Sequence, residues 1–209
     1  MTKVYKLYTE LLDYKPTIWR RFFVADSMKL SNLAYALMGL YHMEGNHLFN
    51  FLSPANKTYY GLKEEEELAD IIEINAKATP LRKVMTAVGH QIIFNYDFGD
   101  SWAIFVGIEE VTESEFHPQK YPILIGGEGY GIIEDCGGTP GLEDIAKAFK
   151  RKKGQKYEDY CEWLGRKDLD LETFNGKYFD FRYMISYFRS IYENTEPPAR
   201  YVWVKNEED

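Results

Sequence analysis

Gln91-Ile92-Ile93-Phe94-Asn95-Tyr96-Asp97-Phe98-Gly99-Asp100-Ser101-Trp102-Ala103-Ile104-Phe105-Val106 reads as two strands and the turn between them. Apolar and aromatic residues fill both arms, Gln91–Tyr96 and 102–111, while 97–101 has the composition of a tight hairpin connection. The arms are expected to pair antiparallel. Upstream, 4–11 and 17–24 form a second hairpin around a turn at 13–16, with Tyr5, Leu7 and Leu11 at strand spacing. Leu30, Leu33, Ala34, Leu37, Met38 and Tyr41 then mark one helical face, with Ser27 or Ser31 available as its N-cap. A strand at 47–52 is closed by Pro54, 57–60 extends briefly, and a short helix is expected over 80–88 with Pro80 in its first turn. The four carboxylates Glu64 to Glu67 read as the solvated side of a short helix or loop.

Downstream, the apolar run 121–125 leads into a glycine-rich stretch over 126–141. The remainder is mainly helical: 142–150, then 157–164 stopped by Gly165, then 179–192 with Phe181, Met184, Ile185, Phe188 and Ile191 on one face. Pro197-Pro198 breaks that pattern, and 201–204 reads as an edge strand. No internal repeat or flexible linker interrupts the chain. This order predicts an α+β fold in a single domain over 1–209, with a mostly antiparallel sheet packed by helices. The motif-bearing core covers about 1–145 and the helical part 146–209.

At 209 residues the chain can bury roughly 70% of its unfolded surface in one core. Its formal net charge of −8 argues against nucleic acid, whose phosphates require clustered Lys and Arg. The one basic cluster, Lys150-Arg151-Lys152-Lys153, follows a helical pattern and reads as a helix C-terminus complementing the macrodipole. Cys136 and Cys161 are too few for a disulfide framework or a paired-cysteine zinc site. With no apolar signal core and no membrane-length run, a cytoplasmic location is expected. The expected partner is a small ligand or a protein.

Several polar residues break the pattern. Ile18, Arg20, Phe22 and Val24 share one strand face, which sets a guanidinium among apolar neighbours. Such a charge needs a partner, since losing one costs about 3–5 kcal/mol. Asp97 and Asp100, bracketing the central turn, are the expected candidates; Asp97 is also expected to close an Asx-turn, with Gly99 supplying positive φ. Arg21 falls on the other face with Trp19 and Phe23. Glu134-Asp135-Cys136 sits just before a helix start marked by Pro140-Gly141-Leu142, where a thiol can be activated although the adjacent carboxylates oppose it. His42 and His47 lack metalloprotease spacing, and His47 alternates with Phe49 and Phe51 as a core or rim residue would. Asp97-Phe98-Gly99 lacks every other protein-kinase signature, and Gly127-Glu128-Gly129-Tyr130-Gly131 does not run from strand to helix as a dinucleotide loop must.

In order along the chain, Pro16-Thr17-Ile18-Trp19-Arg20-Arg21, His47-Leu48 with Phe51, Tyr96-Asp97-Phe98-Gly99-Asp100 with Trp102, and Glu134-Asp135-Cys136-Gly137-Gly138 resemble the motifs of the plasmid pRiA4b ORF-3-like family. Members of that family also carry the label of insertion-sequence passenger protein TnpR, that is, of a mobile-element passenger. The resemblance implies an α+β fold with a curved sheet and brings no established activity. Recombination is not carried over, because neither a resolvase-like serine site nor a basic DNA-binding tail is present. Ala34, Phe49 and Ile104 depart from polar or histidine positions of the family, which argues against a histidine-rich centre. Ile132-Ile133 replaces a Pro-Pro pair and leaves that loop less stiff.

The leading expectation is a binding module with an aromatic-lined polar cleft containing Arg20, His47, Asp97, Asp100 and Trp102, with Arg21, Tyr96, Glu134, Asp135 and Cys136 as further candidate residues. The rival is a metal-assisted or acid–base enzyme of hydrolase type using His47, Asp97, Asp100 and Glu134, with Cys136 nearby. Those four would suit a hard or borderline divalent ion, although their spacing demands neither metal nor any other cofactor. A third reading makes the same residues a purely structural motif.

Overall fold

A computed structural model of the chain describes residues 2–55, 58–62, 73–114, 121–176 and 179–198. Among them, eight strands form one sheet: β1 (Thr2–Leu11), β2 (Trp19–Ala25), β3 (Phe49–Ser53), β4 (Thr58–Gly61), β5 (Glu73–Asn75), β6 (Gln91–Tyr96), β7 (Trp102–Ser114) and β8 (Ile123–Glu128). Their spatial order is β5-β4-β3-β6-β7-β1-β2-β8, antiparallel throughout except for the parallel pair β4 and β5. The α+β expectation is met. Both hairpins form, with Tyr96 opposite Trp102 in one and Glu10 opposite Trp19 in the other.

Period-two burial gives the sheet an inner face. Leu7 of β1, Phe22 of β2, Phe94 of β6 and Ile104 of β7 are fully buried. Against it lies α1 (Leu30–Leu40), in which every residue except Asn32 is buried, as an all-round apolar helix must be. The helix α4 (Phe181–Glu193) covers α1 with Phe181, Met184, Ile185 and Phe188, the stripe expected from its spacing; Ile191 is only partly buried. Two further helices, α2 (Gly138–Arg151) and α3 (Gln155–Leu164), pack against each other. The basic run at 150–153 does end α2, and Gly165 stops α3 in the left-handed conformation at φ 65°. Among the described residues no helix is long and apolar enough to cross a membrane.

Three local expectations are corrected. Neither Ser27 nor Ser31 caps α1; its first amides are bonded instead by the carbonyls of Thr79 and Ala76. The helix expected over 80–88 shrinks to one 3-10 turn, Leu81–Lys83, because the Thr86 amide turns to His90 Nδ1 at 3.2 Å and not back along the helix. The helix expected from 142 starts at Gly138, placing Pro140 in its first turn, where a missing amide costs nothing. The glycine-rich run thus divides between β8, a loop and α2. The acidic run 64–67 and the strand expected at 201–204 lie outside the described residues.

Arg20 is fully buried, as the strand period requires, but its partners are not Asp97 or Asp100. Its Nε donates to the Leu40 carbonyl at 3.0 Å, Nη1 to those of Trp19 (2.8 Å) and Glu128 (2.7 Å), and Nη2 to that of Tyr130 (2.7 Å). The guanidinium also lies 3.8 Å from the Phe174 ring centroid and 5.0 Å from that of Tyr41. Carbonyls suffice because Leu40 ends α1, where unpaired oxygens carry the negative pole of the helix. Burial lowers the Arg20 pKa to about 10, which leaves the group charged at neutral pH. Gly127 makes the arrangement possible: a Cβ there would lie 2.7 Å from Arg20 Cδ.

This clamp ties β2 to the end of α1 and to the segment after β8. The same two segments meet again where the Ile132 amide donates to the Tyr41 carbonyl, and Gly131, at φ 145°, leaves no room for a Cβ beside that oxygen. His42 follows in the left-handed region (φ 59°), its ring 4.2 Å from that of Tyr130. Its Nδ1 is buried without a hydrogen-bond partner. Burial, reinforced by the charge of Arg20, pushes the His42 pKa down to about 4.

Two outcomes follow for stability. Arg20→Met leaves four main-chain oxygens without their donor, and urea denaturation should show a loss of at least about 3 kcal/mol that Arg20→Lys does not recover. His42 stays neutral when folded but takes up a proton below pH 6.5 when unfolded, so its stabilisation is present above that pH and is lost as the pH falls towards 4. His42→Asn, which keeps the left-handed backbone, should flatten this part of the stability–pH curve by on the order of 2 kcal/mol, read from urea midpoints between those pH values.

Candidate functional site

His47 lies just before β3, at the end of the loop that leaves α1. Its main chain is fixed by the Tyr192 hydroxyl of α4, which donates to the His47 carbonyl. Its ring stands edge-on to Tyr96, 5.7 Å between centroids. Asp97 and the loop acids Glu134 and Asp135 face the two ring nitrogens. Nδ1 is 3.6 Å from Asp97 Oδ1, and Nε2 is 3.6 Å from Glu134 Oε2 and 3.7 Å from Asp135 Oδ1.

Tyr96 is the hub that sets this geometry. Its buried hydroxyl accepts from the amides of Gly45 (2.9 Å) and Asn46 (3.2 Å) and donates to Glu134 Oε1 at 2.6 Å. With two bonds accepted and one donated, the hydroxyl is saturated. The Glu44 amide adds a second donor to Glu134 Oε1 at 2.6 Å, which leaves Oε2 to face His47. Burial raises the Glu134 pKa above the usual carboxylate range, while Tyr96 and the Glu44 amide oppose the shift. Burial, and then the bond to Glu134, push the Tyr96 pKa well above that of a free phenol.

The turn after β6 differs from the expected one in a single respect. The Asx-turn forms, with the Gly99 amide donating to Asp97 Oδ1 at 3.0 Å, but Asp97 and Ser101 carry the positive φ (54° and 58°) and Gly99 does not. Asp135 is left-handed as well, at φ 58°. Two of the acids facing His47 therefore sit in a sparsely populated backbone region, which asparagine and aspartate tolerate best. Asp100 does not face His47. Its Oδ2 accepts the Gly137 amide at 3.2 Å and ties the hairpin tip to the start of α2, where the Asp100 carbonyl leaves Gly138 no room for a Cβ.

The remaining candidates lie apart. Arg20 is enclosed in its carbonyl clamp. Arg21 is on the opposite sheet face, paired with Glu109 through Nε (2.9 Å) and Nη2 (2.8 Å) and resting on Tyr8 and Trp19. Trp102 is fully buried in the core and lines no cleft. Cys136 donates to the Gly138 carbonyl at 3.4 Å, and burial, helped by Asp100 and Asp135, pushes its thiol up to about 12, so it is not an activated nucleophile. The structure thus gathers His47, Tyr96, Asp97, Glu134 and Asp135, with Asp100 and Cys136 adjoining.

Chemically, this is one imidazole facing three carboxylates. Among the described residues the ion pairs of Asp97, Glu134 and Asp135 all go to His47. Separations of 3.6–3.7 Å are too long for hydrogen bonds and involve different ring nitrogens, Asp97 at Nδ1 and Glu134 and Asp135 at Nε2, of which one ion can take only one. One donor atom each from His47, Asp97 and Asp135 can be chosen within 4.8 Å of one another, a span bridged by bonds of about 2.4 Å. The residues present therefore fit a divalent ion. Sequence reasoning passed over the Glu44 amide and Tyr192, the first because it contributes main chain and the second because it reads as ordinary helix.

Comparisons with known proteins bear on the family and the fold. The model of the plasmid pRiA4b ORF-3-like protein family matches residues 3–181. The chain is 25% identical over 175 residues to the uncharacterized protein y4hQ of Sinorhizobium fredii, covering 84% of this chain and 88% of that one. It is also similar to a crystal structure of the protein of unknown function MM3350 from Methanosarcina mazei Go1, with TM-score 0.71 and 28% identity over 84% of this chain and 95% of that one. By the extent of these matches and by its own motifs, the chain belongs to the plasmid pRiA4b ORF-3-like family.

Proposed function

We propose that the chain is a binding module for a small polar ligand, and that a divalent cation held by His47, Asp97 and Asp135, with Glu134 beside them, anchors that ligand. One observation carries this reading: acids from the central hairpin and from the loop before α2 converge on both nitrogens of a single histidine without another charged partner among the described residues. Mutual repulsion makes such a cluster costly unless positive charge is supplied. The cluster is also pre-formed. Tyr96 and the Glu44 amide hold Glu134, the Gly99 amide holds Asp97, and Tyr192 holds the His47 backbone, so little ordering remains when a cation enters.

A second reading, metal-assisted hydrolysis, draws on Glu134. A buried carboxyl with a raised pKa, facing the same histidine, is suited to take a proton from a cation-bound water. Binding is the more economical reading, since it needs the cluster alone.

Calorimetric titration with Mn²⁺ and Zn²⁺ should show one ion per chain. Asp97→Asn, which suits the left-handed turn, and His47→Gln should each weaken uptake about 10- to 100-fold while leaving the fold intact. Absence of stoichiometric uptake, or uptake indifferent to both changes, would remove the proposal.

A further inference from the structure

The turn of the first hairpin, α2 and the segment after α3 border a cavity of about 550 Å³, a volume within the range of small-molecule sites. None of its lining residues belongs to the cluster at His47. Glu143, Ala146, Lys147 and Lys150 recur at helical spacing and bring one face of α2 to it. Opposite them the chain alternates: Leu169 and Leu171 are buried, while Asp170 and Glu172 are exposed. The Leu171 carbonyl accepts the Tyr130 amide at 3.0 Å, which fixes this wall to the loop after β8. With Phe149 and Tyr14, each 3% exposed, the two leucines make the floor apolar.

Two features of this wall are uncommitted. The first is the Tyr14 hydroxyl, which makes no hydrogen bond among the described residues although the side chain is almost wholly buried. Burial raises its pKa, and the charges of Glu143 and Glu172, both on this wall, add to the shift, which sets the hydroxyl on the cavity side. The second is positive charge. Lys147 is paired with Glu143 at 2.9 Å and Lys150 with Glu172 at 3.5 Å, while Asp170 accepts from the Thr173 hydroxyl and from the amides of Glu172 and Thr173. Lys15 and Lys152 form no ion pair among the described residues. Lys15 Nζ donates to Thr17 Oγ1 at 3.0 Å, and Lys152, left-handed at the end of α2, acts on Asp170 only from beyond ion-pair distance. With the acids committed, the spare charge at the mouth is positive.

An apolar floor with two aromatic rings suits a flat apolar body, a buried hydroxyl without a partner calls for a polar atom to meet it, and spare lysines favour an anion. We infer that this cavity takes a small aromatic acid bearing a hydroxyl or carbonyl oxygen. Its ring lies over Phe149, Leu169 and Leu171, its oxygen meets the Tyr14 hydroxyl, and its carboxylate faces Lys15 and Lys152. This site is independent of any cation at His47. As a probe, 4-hydroxyphenylacetate carries all three features, with phenylacetate as the control for the hydroxyl and tyramine as the control for the charge.

Calorimetric titration of the full chain should give one-to-one binding of 4-hydroxyphenylacetate, about tenfold tighter than phenylacetate. Tyr14→Phe, which keeps the ring in the core, should erase that difference by weakening the hydroxylated acid alone. Lys15→Gln combined with Lys152→Gln should weaken both acids alike, several-fold at low salt and less at high salt. A chain that ignores 4-hydroxyphenylacetate, or whose preference for it over phenylacetate survives Tyr14→Phe, overturns the inference. Tighter binding of tyramine overturns it as well, because Glu143 and Glu172 would then be the receptor.

Discussion

The constraint on which the rest of this structure depends is the enclosure of one guanidinium by main-chain oxygens. Arg20 gathers the carbonyl that ends α1, that of Glu128 at the end of β8 and that of Tyr130 just beyond it, and the sheet supplies the strand on which it stands. From the first point the chain runs through His42 and Glu44 to His47; from the second it runs through Ile132 to Glu134 and Asp135. Two loops far apart in sequence are thereby started from one anchor. Their later meeting, at the Ile132 amide and then at Tyr96, follows from where they begin.

A buried arginine bonded only to carbonyls is chemically different from a buried ion pair. Every donor used is satisfied by a main-chain oxygen, so the desolvation cost of the charge is offset without introducing a second charge. The acids of the central hairpin are left uncommitted to Arg20 as a result. Asp97 turns to its own Asx-turn and to His47, and Asp100 turns to the start of α2. That separation of roles, positive charge in the clamp and negative charge around His47, is the basis of the proposal that a cation binds there.

Much of this could be read from the residues and some could not. Strand periodicity placed Arg20 on the inner face and Arg21 on the outer one, and helical spacing found the stripe of α4 through Phe188. The partner of Arg20 was illegible because carbonyls are common to all residues; composition points to carboxylates, and the geometry of element ends decides otherwise. Trp102 shares a motif with Asp97 yet is buried, since alternation along β7 sends it inward. The convergence of Glu134 on His47 depends on Tyr96, whose hydroxyl reaches two loop amides and a carboxylate at once, a contact between segments that no local pattern encodes. The left-handed Asp97 and Asp135 were hidden for a related reason: glycine is the default for positive φ, and aspartate takes it only where neighbouring contacts hold it there.

The central claim, that Arg20 starts two loops whose acids and histidine close on a cation, is tested most directly by anomalous diffraction from crystals grown with Mn²⁺. The account predicts one strong peak bonded at about 2.0–2.6 Å to a His47 ring nitrogen and to carboxylate oxygens of Asp97 and Asp135, with Arg20 still in its four-carbonyl clamp. Density for Mn²⁺ elsewhere on the surface, with none between His47 and these acids, would contradict it.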